Sequence, residues 1–291
     1  MKILGTGLTG LVGSRVVELL GDKYQFENIS RSVGIDVENK DAVLSKIKTS
    51  DAQIVLHLAA KTDVDGCEKD KVLGQSGEAW KINVEGTRNI ADACSQTNKK
   101  LIYISTDFVF DGENPPVDGY AEEDTPNPIN WYAQTKYEGE KIVQELKTPW
   151  IIARIAYPYR ASFVKLDFFR AILQRLQKGE TVLGVSDNIF NPTFIDDVAL
   201  ALDVLTNNNS QGIFHVVGDQ SLTPHEAALL IAKTFSLDQN LISKTTGAEF
   251  FKDRAKRSFQ LRLKNDKIEK LGVRMKTFEE GLREIKSQIK L

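Results

Sequence analysis

The opening stretch, MKILGTGLTGLVGSRVVELL, constrains the fold more than any other part of the chain. Lys2–Thr6 is a short apolar run and predicts a buried first strand. It breaks into glycines at 5, 7, 10 and 13, and Val16, Val17, Leu19 and Leu20 then recur at helical spacing. The glycines therefore fall on a turn from strand to helix. There, one glycine lets the chain turn sharply, one lets backbone N–H groups approach a pyrophosphate, and one lets the helix pack close to its strand. The helix N-terminus, with free N–H groups and the positive dipole end, faces the phosphates. The spacing is Gly7-x-x-Gly10-x-x-Gly13 rather than the commoner G-x-G-x-x-G. Gly7, Thr9, Gly10, Leu11, Val12 and Gly13 are thus candidate dinucleotide contacts. The plainer alternative is an ordinary strand-turn-helix connection.

Tyr24–Ile29 reads as the second strand and runs into Ser30 and Arg31. Chains that prefer NAD carry an acidic residue here for the ribose 2′-OH. A hydroxyl and a guanidinium suit a 2′-phosphate, so NADP(H) is favoured and NAD(H) is the alternative. An arginine in a surface turn has equal weight. Asp36 and Val37 are candidates for the adenine, by hydrogen bond and apolar contact. Ile54–Leu58 is a continuous apolar run, as in a central parallel strand. Leu58, Ala59, Ala60 and Lys61 lie at its C-terminal end, where small residues let a cofactor pass close to the backbone.

Gly74–Gln96 predicts one long helix, with Asn83 in its interior, where an amide is mildly unfavourable. Lys100–Ser105 predicts another strand, and in open α/β sheets ligands bind outside such carboxyl ends, here at Ser105 and Thr106. A loop rich in Pro, Gly and acids, Gly112–Asn130, follows and is expected to cover that end. A helix then opens at Trp131 and carries Tyr132 and Lys136 on one face, four residues apart. Strands at Trp150–Arg154 and Ile213–Val216 continue the alternation, which predicts an α/β fold with a doubly wound parallel sheet of Rossmann type. Residues 1–154 with 190–217 are expected to bind the dinucleotide. Residues 155–189 with 218–291 are expected to form a smaller, mostly helical substrate lobe.

A net charge of −2 counts against bulk nucleic-acid binding. No apolar run approaches the roughly 18 residues of a membrane span, and no signal peptide opens the chain, so a cytoplasmic location without membrane contact is expected. Cys67 and Cys94 are too few for a disulfide framework or zinc site, and His57, His215 and His225 lack ligand spacing, so no metal is expected. His57 and His215 sit in strand-like runs and read as core or strand-end residues. The basic run Lys252–Arg262 is either a solvated face or a contact for an anionic substrate.

Reduction of a carbonyl needs a proton for the oxygen as hydride reaches the carbon. A phenol such as Tyr132 gives it if its pKa is lowered, and a neighbouring ammonium such as Lys136 lowers it. The Thr106 hydroxyl holds the substrate oxygen in place. The chain also carries VEGTRNIADAC at Val84–Cys94, IYISTDFVFDG at Ile102–Gly112, TPNPINWYAQTKYEGE at Thr125–Glu140, NPTFIDDVA at Asn191–Ala199 and LRLKNDKIEKLGV at Leu261–Val273. By these it resembles the extended branch of the short-chain dehydrogenase/reductase superfamily, and within it the dTDP-4-dehydrorhamnose reductase family. The resemblance spans nearly the whole chain. It implies Thr106, Tyr132 and Lys136 as a catalytic triad with Asn83 as the supporting asparagine, and Lys136 on the nicotinamide ribose. It implies NADPH-dependent reduction of the 4-keto group of a dTDP-6-deoxyhexulose. Asp107, Val109, Tyr157 and Arg257 are the weaker substrate candidates.

The chain departs from the family pattern in the substrate region. Arg154-Ile155-Ala156-Tyr157-Pro158-Tyr159-Arg160 stands where R-T-S-W-V-Y-G is usual, Arg257-Ser258 replaces an arginine-proline, and Lys264 stands at an acidic position. These leave the cofactor site and triad intact and bear on which sugar is used. An epimerase or dehydratase of the same branch is the alternative enzyme, although a dehydratase would show Asp-Glu after the threonine, where this chain has Asp107-Phe108. A non-catalytic nucleotide-binding subunit, as in the methionine adenosyltransferase β subunit, is the alternative of another class. The expected partner is a nucleotide-sugar substrate, with a homodimer left open.

Overall fold

The structure, a computed structural model, describes residues 1–289, so Lys290 and Leu291, the end of the expected substrate lobe, lie outside the described residues. In chain order the strands are β1 (Lys2–Thr6), β2 (Gln25–Ile29), β3 (Ile54–His57), β4 (Lys100–Thr106), β5 (Trp150–Ile155), β6 (Pro158–Tyr159), β7 (Val182–Val185), β8 (Thr193–Phe194), β9 (Gly212–His215) and β10 (Ile242–Thr245). The helices are α1 (Leu11–Leu20), α2 (Lys40–Thr49), α3 (Val64–Asp70), α4 (Glu78–Trp80), α5 (Thr87–Thr97), α6 (Trp131–Gln144), α7 (Phe168–Gln177), α8 (Ile195–Asn207), α9 (Pro224–Phe235), α10 (Gly247–Phe250), α11 (Asp266–Glu269) and α12 (Phe278–Gln288).

Six strands form one sheet in the order β2-β1-β3-β4-β5-β9, and β1 runs parallel to both β2 and β3. Every residue of β3 is buried, the mark of a central strand covered on both faces. Val43 and Ile47 of α2 and Ile90, Ala91, Ala93 and Cys94 of α5 bury against Leu4, Val55, Leu101 and Tyr103 of the strands. This is the Rossmann-like architecture that the alternation predicts.

The chain divides into two compact units. The first comprises Met1–Val109, Pro126–Arg154 and Leu202–Phe214 and holds the six-stranded sheet. The second comprises Phe110–Thr125, Ile155–Ala201 and His215–Leu291. Its core gathers Tyr159, Phe169, Phe194, Phe278 and Leu282, and its two small parallel sheets are β10-β7 and β6-β8. Most of the Gly112–Asn130 loop belongs to this second unit. Tyr120 there donates its N–H to Arg262 O at 2.8 Å and accepts from Lys264 N at 2.8 Å.

Two elements differ from the sequence reading. The expected helix over Gly74–Gln96 starts only at Glu78, since Gly74 has φ +54° and ψ −127°, outside any helix, and its residues Lys81–Gly86 are π-helical. The composition of Ser186–Asp197 predicts turns, and from Ile195 this stretch instead enters α8, thirteen residues long.

In α6, Gly139 has no room for a side chain, since a Cβ would lie 2.4 Å from Tyr103 Oη. The next residue, Glu140, is fully buried and takes two hydrogen bonds from Arg154 of β5, at 2.9 Å (Nε) and 2.7 Å (Nη2). Removing one partner of a buried ion pair strands the other charge. Glu140→Ala is expected to lower the unfolding free energy by about 3–5 kcal/mol, read from urea denaturation. A loss below about 1 kcal/mol would show that Arg154 finds another acceptor or water.

Candidate active site

The site is built on the first unit, at the carboxyl ends of β1, β3 and β4. At the end of β1 the chain turns through Gly7, whose φ is +68° and whose Cβ would lie 2.7 Å from Ala59 N. A Cβ on Gly13 would lie 2.3 Å from Gly7 O, so α1 approaches the turn as closely as backbone allows. Gly10 caps α1 without any side-chain hydrogen bond. The N-terminus of the helix bears the positive dipole end, the chemistry a pyrophosphate needs. Thr9 is exposed, and Gly10, Leu11 and Val12 are half-buried on this turn.

After β2, Ser30 accepts from Asn28 Nδ2 at 3.0 Å and pairs with Ser32 Oγ at 2.8 Å. Arg31 reaches two carboxylates, Asp36 Oδ2 at 2.6 Å from Nε and Glu38 Oε1 at 3.0 Å from Nη2, and stays 63% exposed. Asp36 is therefore the arginine's partner in this geometry. Val37 is buried in the core, where its carbonyl accepts from Asn89 Nδ2 at 2.9 Å.

Leu58, Ala59, Ala60 and Lys61, all half-buried, run on from β3 and are clamped from two sides. Ala59 N–H donates to Thr6 Oγ1 at 3.0 Å. Lys61 N–H donates to Asn83 Oδ1 at 2.8 Å, and Asn83 Nδ2 donates to Lys61 O at 3.1 Å. Asn83 also donates to Thr135 Oγ1 at 2.9 Å, and Thr135 donates to Tyr132 O at 2.9 Å. The asparagine that looked out of place in a helix sits in the π-helical segment, and its amide joins the β3 end to α6.

Helix α6 starts at Asn130, whose Oδ1 accepts from Ala133 N at 2.9 Å, and Trp131 stacks on Trp80 with ring centroids 5.8 Å apart. This start sets Tyr132 against β4. The Thr106 hydroxyl lies beside the Tyr132 phenol, donates to Asp107 Oδ1 at 3.0 Å and accepts from Phe108 N at 3.2 Å. Thr106, Tyr132, Lys136 and Asn83 are all buried.

Burial is the dominant influence on the Tyr132 phenol. It holds Tyr132 well above the usual phenol range, and Asp107 and Cys67 push it up further. The Lys136 ammonium turns to the sheet. It donates to Ile104 O at 2.8 Å and lies 4.0 Å from the centre of the Tyr103 ring. Burial brings Lys136 itself down to about 7.

Two buried polar atoms beside Thr106 have no hydrogen-bond partner, Ser105 Oγ and Asp107 Oδ2. Such atoms cost about 1–3 kcal/mol each and mark where a ligand's polar groups would bond. Val109 is fully buried and its carbonyl accepts from Asn127 N at 2.8 Å. Tyr157 and Arg257 belong to the second unit. Tyr157, at φ +40°, packs edge-on to Phe190 and Phe168, and Arg257 lies 5.3 Å over the Phe251 ring. No group of acidic, histidine or cysteine residues among the described residues has the arrangement of a metal site.

Sequence reasoning missed Thr6, Thr87 and Thr135 and read His57 as a core or strand-end residue, and His57 is buried at the end of β3. Thr6 precedes the glycine turn directly and Thr135 sits between Tyr132 and Lys136, which are the only signals they give.

The sequence profile of the RmlD substrate binding domain family matches residues 1–290. The chain belongs to this family. The chain is 30% identical to a dTDP-4-dehydrorhamnose reductase of Aggregatibacter actinomycetemcomitans over 241 residues, 79% of this chain and 78% of that one. It is also 30% identical to methionine adenosyltransferase 2 subunit beta of Bos taurus, over 97% of this chain and 86% of that one. A crystal structure of dTDP-4-dehydrorhamnose reductase from Bacillus anthracis, in complex with NADP, superposes with a TM-score of 0.89 at 29% identity, covering 99% of each chain. In this RmlD-family chain the glycine turn and the Thr106–Tyr132 pair stand in one unit.

Burial pushes the Asp107 carboxyl from its ordinary 3.8 up to about 7, with the Thr106 hydrogen bond acting against it. A carboxyl raised by folding binds more protons folded than unfolded, so its contribution to stability falls as pH rises between about 4 and about 7. Asp107→Asn, neutral and of similar size, is expected to remove that fall. Urea unfolding across this range checks it, and parallel stability curves for the two proteins would mean that Asp107 ionises freely when folded.

Proposed function

We propose that this chain is an NADPH-dependent reductase of a 4-keto nucleotide sugar of the dTDP-4-dehydrorhamnose type. One observation carries the reading: a hydroxyl beside a buried phenol, Thr106 and Tyr132, in the same unit as a glycine-walled helix N-terminus. Family membership and the NADP-bound Bacillus anthracis relative support the cofactor and the reaction class.

The turn residues Gly7, Thr9, Gly10, Leu11, Val12 and Gly13 take the pyrophosphate, and Ser30 and Arg31 the 2′-phosphate. Asp36 and Val37 border the adenine, and Leu58–Lys61 and Ser105 border the nicotinamide half. When bound, NADPH supplies the hydride. Tyr132, kept protonated by burial, gives its proton to the ketone oxygen, and Thr106 orients that oxygen. Lys136 holds the ribose side and Asn83 keeps Lys61 and α6 in register. Asp107 binds a sugar hydroxyl beside Val109. Tyr157 and Arg257 serve the nucleotide sugar from the substrate lobe, taken as residues 155–189 with 218–291. A cytoplasmic location belongs to this reading, and no helix among the described residues is long and apolar enough to cross a membrane. A homodimer belongs to the same proposal and is read by sedimentation.

Loss of NADPH absorbance with a dTDP-4-keto-6-deoxyhexose is the direct test. Tyr132→Phe is expected to lower kcat by about 10²- to 10⁴-fold while leaving the Kd for NADPH within about twofold. Turnover equal to that of the unaltered protein would remove Tyr132 from the chemistry. Arg31→Ala is expected to raise the Kd for NADPH about tenfold and leave NADH nearly unchanged, from loss of a charge-assisted hydrogen bond to the 2′-phosphate. An equal change for both cofactors would assign Arg31 to its ion pairs with Asp36 and Glu38 alone.

The second reading, a nucleotide-binding subunit without turnover, is favoured by the mammalian β-subunit relatives, which align with 97% of this chain. Tight NADPH binding with no oxidation by any 4-keto nucleotide sugar would select it.

A further inference from the structure

His57 closes β3 and is fully buried. It is neither a metal ligand nor within the group that handles the ketone, yet both of its ring nitrogens are engaged. Nδ1 lies 2.6 Å from Thr6 Oγ1 and Nε2 lies 3.1 Å from Thr87 Oγ1. The partners of those hydroxyls fix which nitrogen carries the proton. Thr87 Oγ1 is 2.7 Å from Asn83 O, a carbonyl that only accepts, so the Thr87 hydroxyl donates there. Its oxygen must then accept from the ring, which puts the proton on Nε2. Burial and the nearby charge of Lys136 bring the ring's pKa down to about 3, so Nδ1 is bare. Thr6 donates to Nδ1 while its own oxygen accepts from Ala59 N.

The result is a single directed chain of donors: Ala59 N–H to Thr6, Thr6 to His57, His57 to Thr87, Thr87 to Asn83 O. Its first member lies on the stretch Leu58–Lys61. Its last is the backbone of the residue whose amide clamps Lys61 and Thr135. The imidazole is therefore the crosspiece between two clamps on one short segment. The Tyr103 ring, 5.6 Å from it centre to centre, stiffens the crosspiece laterally.

We propose that His57, held as the neutral Nε2–H tautomer, is a positioning residue that sets the spacing between the segment bordering the nicotinamide and the π-helical segment that carries Asn83. Its Nδ1 side acts on cofactor binding through Thr6 and Ala59. Its Nε2 side acts on turnover through Thr87, Asn83 and α6. The inference rests on the reductase reading for its kinetic half only.

Two substitutions separate the sides. The amide of Gln reaches where Nε2 is and keeps a donor toward Thr87, with no acceptor for Thr6. The amide of Asn reaches only where Nδ1 is and keeps an acceptor for Thr6, with no donor for Thr87. His57→Gln is expected to raise the Kd for NADPH about tenfold with kcat within about threefold. His57→Asn is expected to lower kcat about tenfold with Kd within about threefold. Binding is read by NADPH fluorescence, and the unaltered protein is examined by ¹⁵N NMR of its imidazoles, which needs neither variant to fold. A protonated Nδ1 at His57 overturns the proposal, as does an equal effect of both substitutions on Kd and kcat. If the unaltered protein binds NADPH but turns over no sugar, the reductase reading fails, while the tautomer and the Kd difference still decide this inference.

Discussion

The close seating of α6 on the sheet is the constraint on which the site depends. Gly139 allows it by having no side chain where Tyr103 Oη sits, and the buried Glu140–Arg154 pair locks it. A buried ion pair of this kind brings little net stability over an apolar packing of equal volume, but it punishes every register except one. With α6 fixed along β4 and β5, Tyr132 meets Thr106 and the Lys136 ammonium meets the Ile104 carbonyl. A slip of one residue would rotate both side chains by about 100°.

Around that helix the structure trades ordinary satisfaction of polar groups for position. Asn83, Thr6, Thr87, Thr135 and His57 are all fully buried, and each has its hydrogen bonds made within the protein. Next to them Ser105 Oγ and Asp107 Oδ2 have none. A saturated network holds its members rigid, whereas unsatisfied atoms beside it are poised for a ligand. The contrast within a few residues of β4 separates the frame of the site from its working surface.

Much of this is written locally in the chain. β3 is apolar throughout because both faces of a central strand are covered, and the glycine turn announces itself by its place between strand and helix. Tyr132 and Lys136 share a face by spacing alone. What the chain does not display locally is whatever long-range pairing decides. His57 and Thr6 are 51 residues apart, and nothing near either one names the other. The direction of the Lys136 side chain depends on a carbonyl 32 residues away. Gly74 delays the start of the next helix because it adopts a backbone conformation that its neighbours do not signal, and α8 begins directly after the short strand β8, within a stretch whose composition reads as a turn.

The π-helical segment at Lys81–Gly86 has one further effect. A widened turn adds a residue to the winding and leaves the helical faces before and after it out of phase. Trp80 ahead of it stacks on Trp131, and Ile90, Ala93 and Cys94 beyond it bury in the core of the sheet. Single-residue deletions in this segment would therefore reset an entire packing face, so its length is held more tightly than its composition.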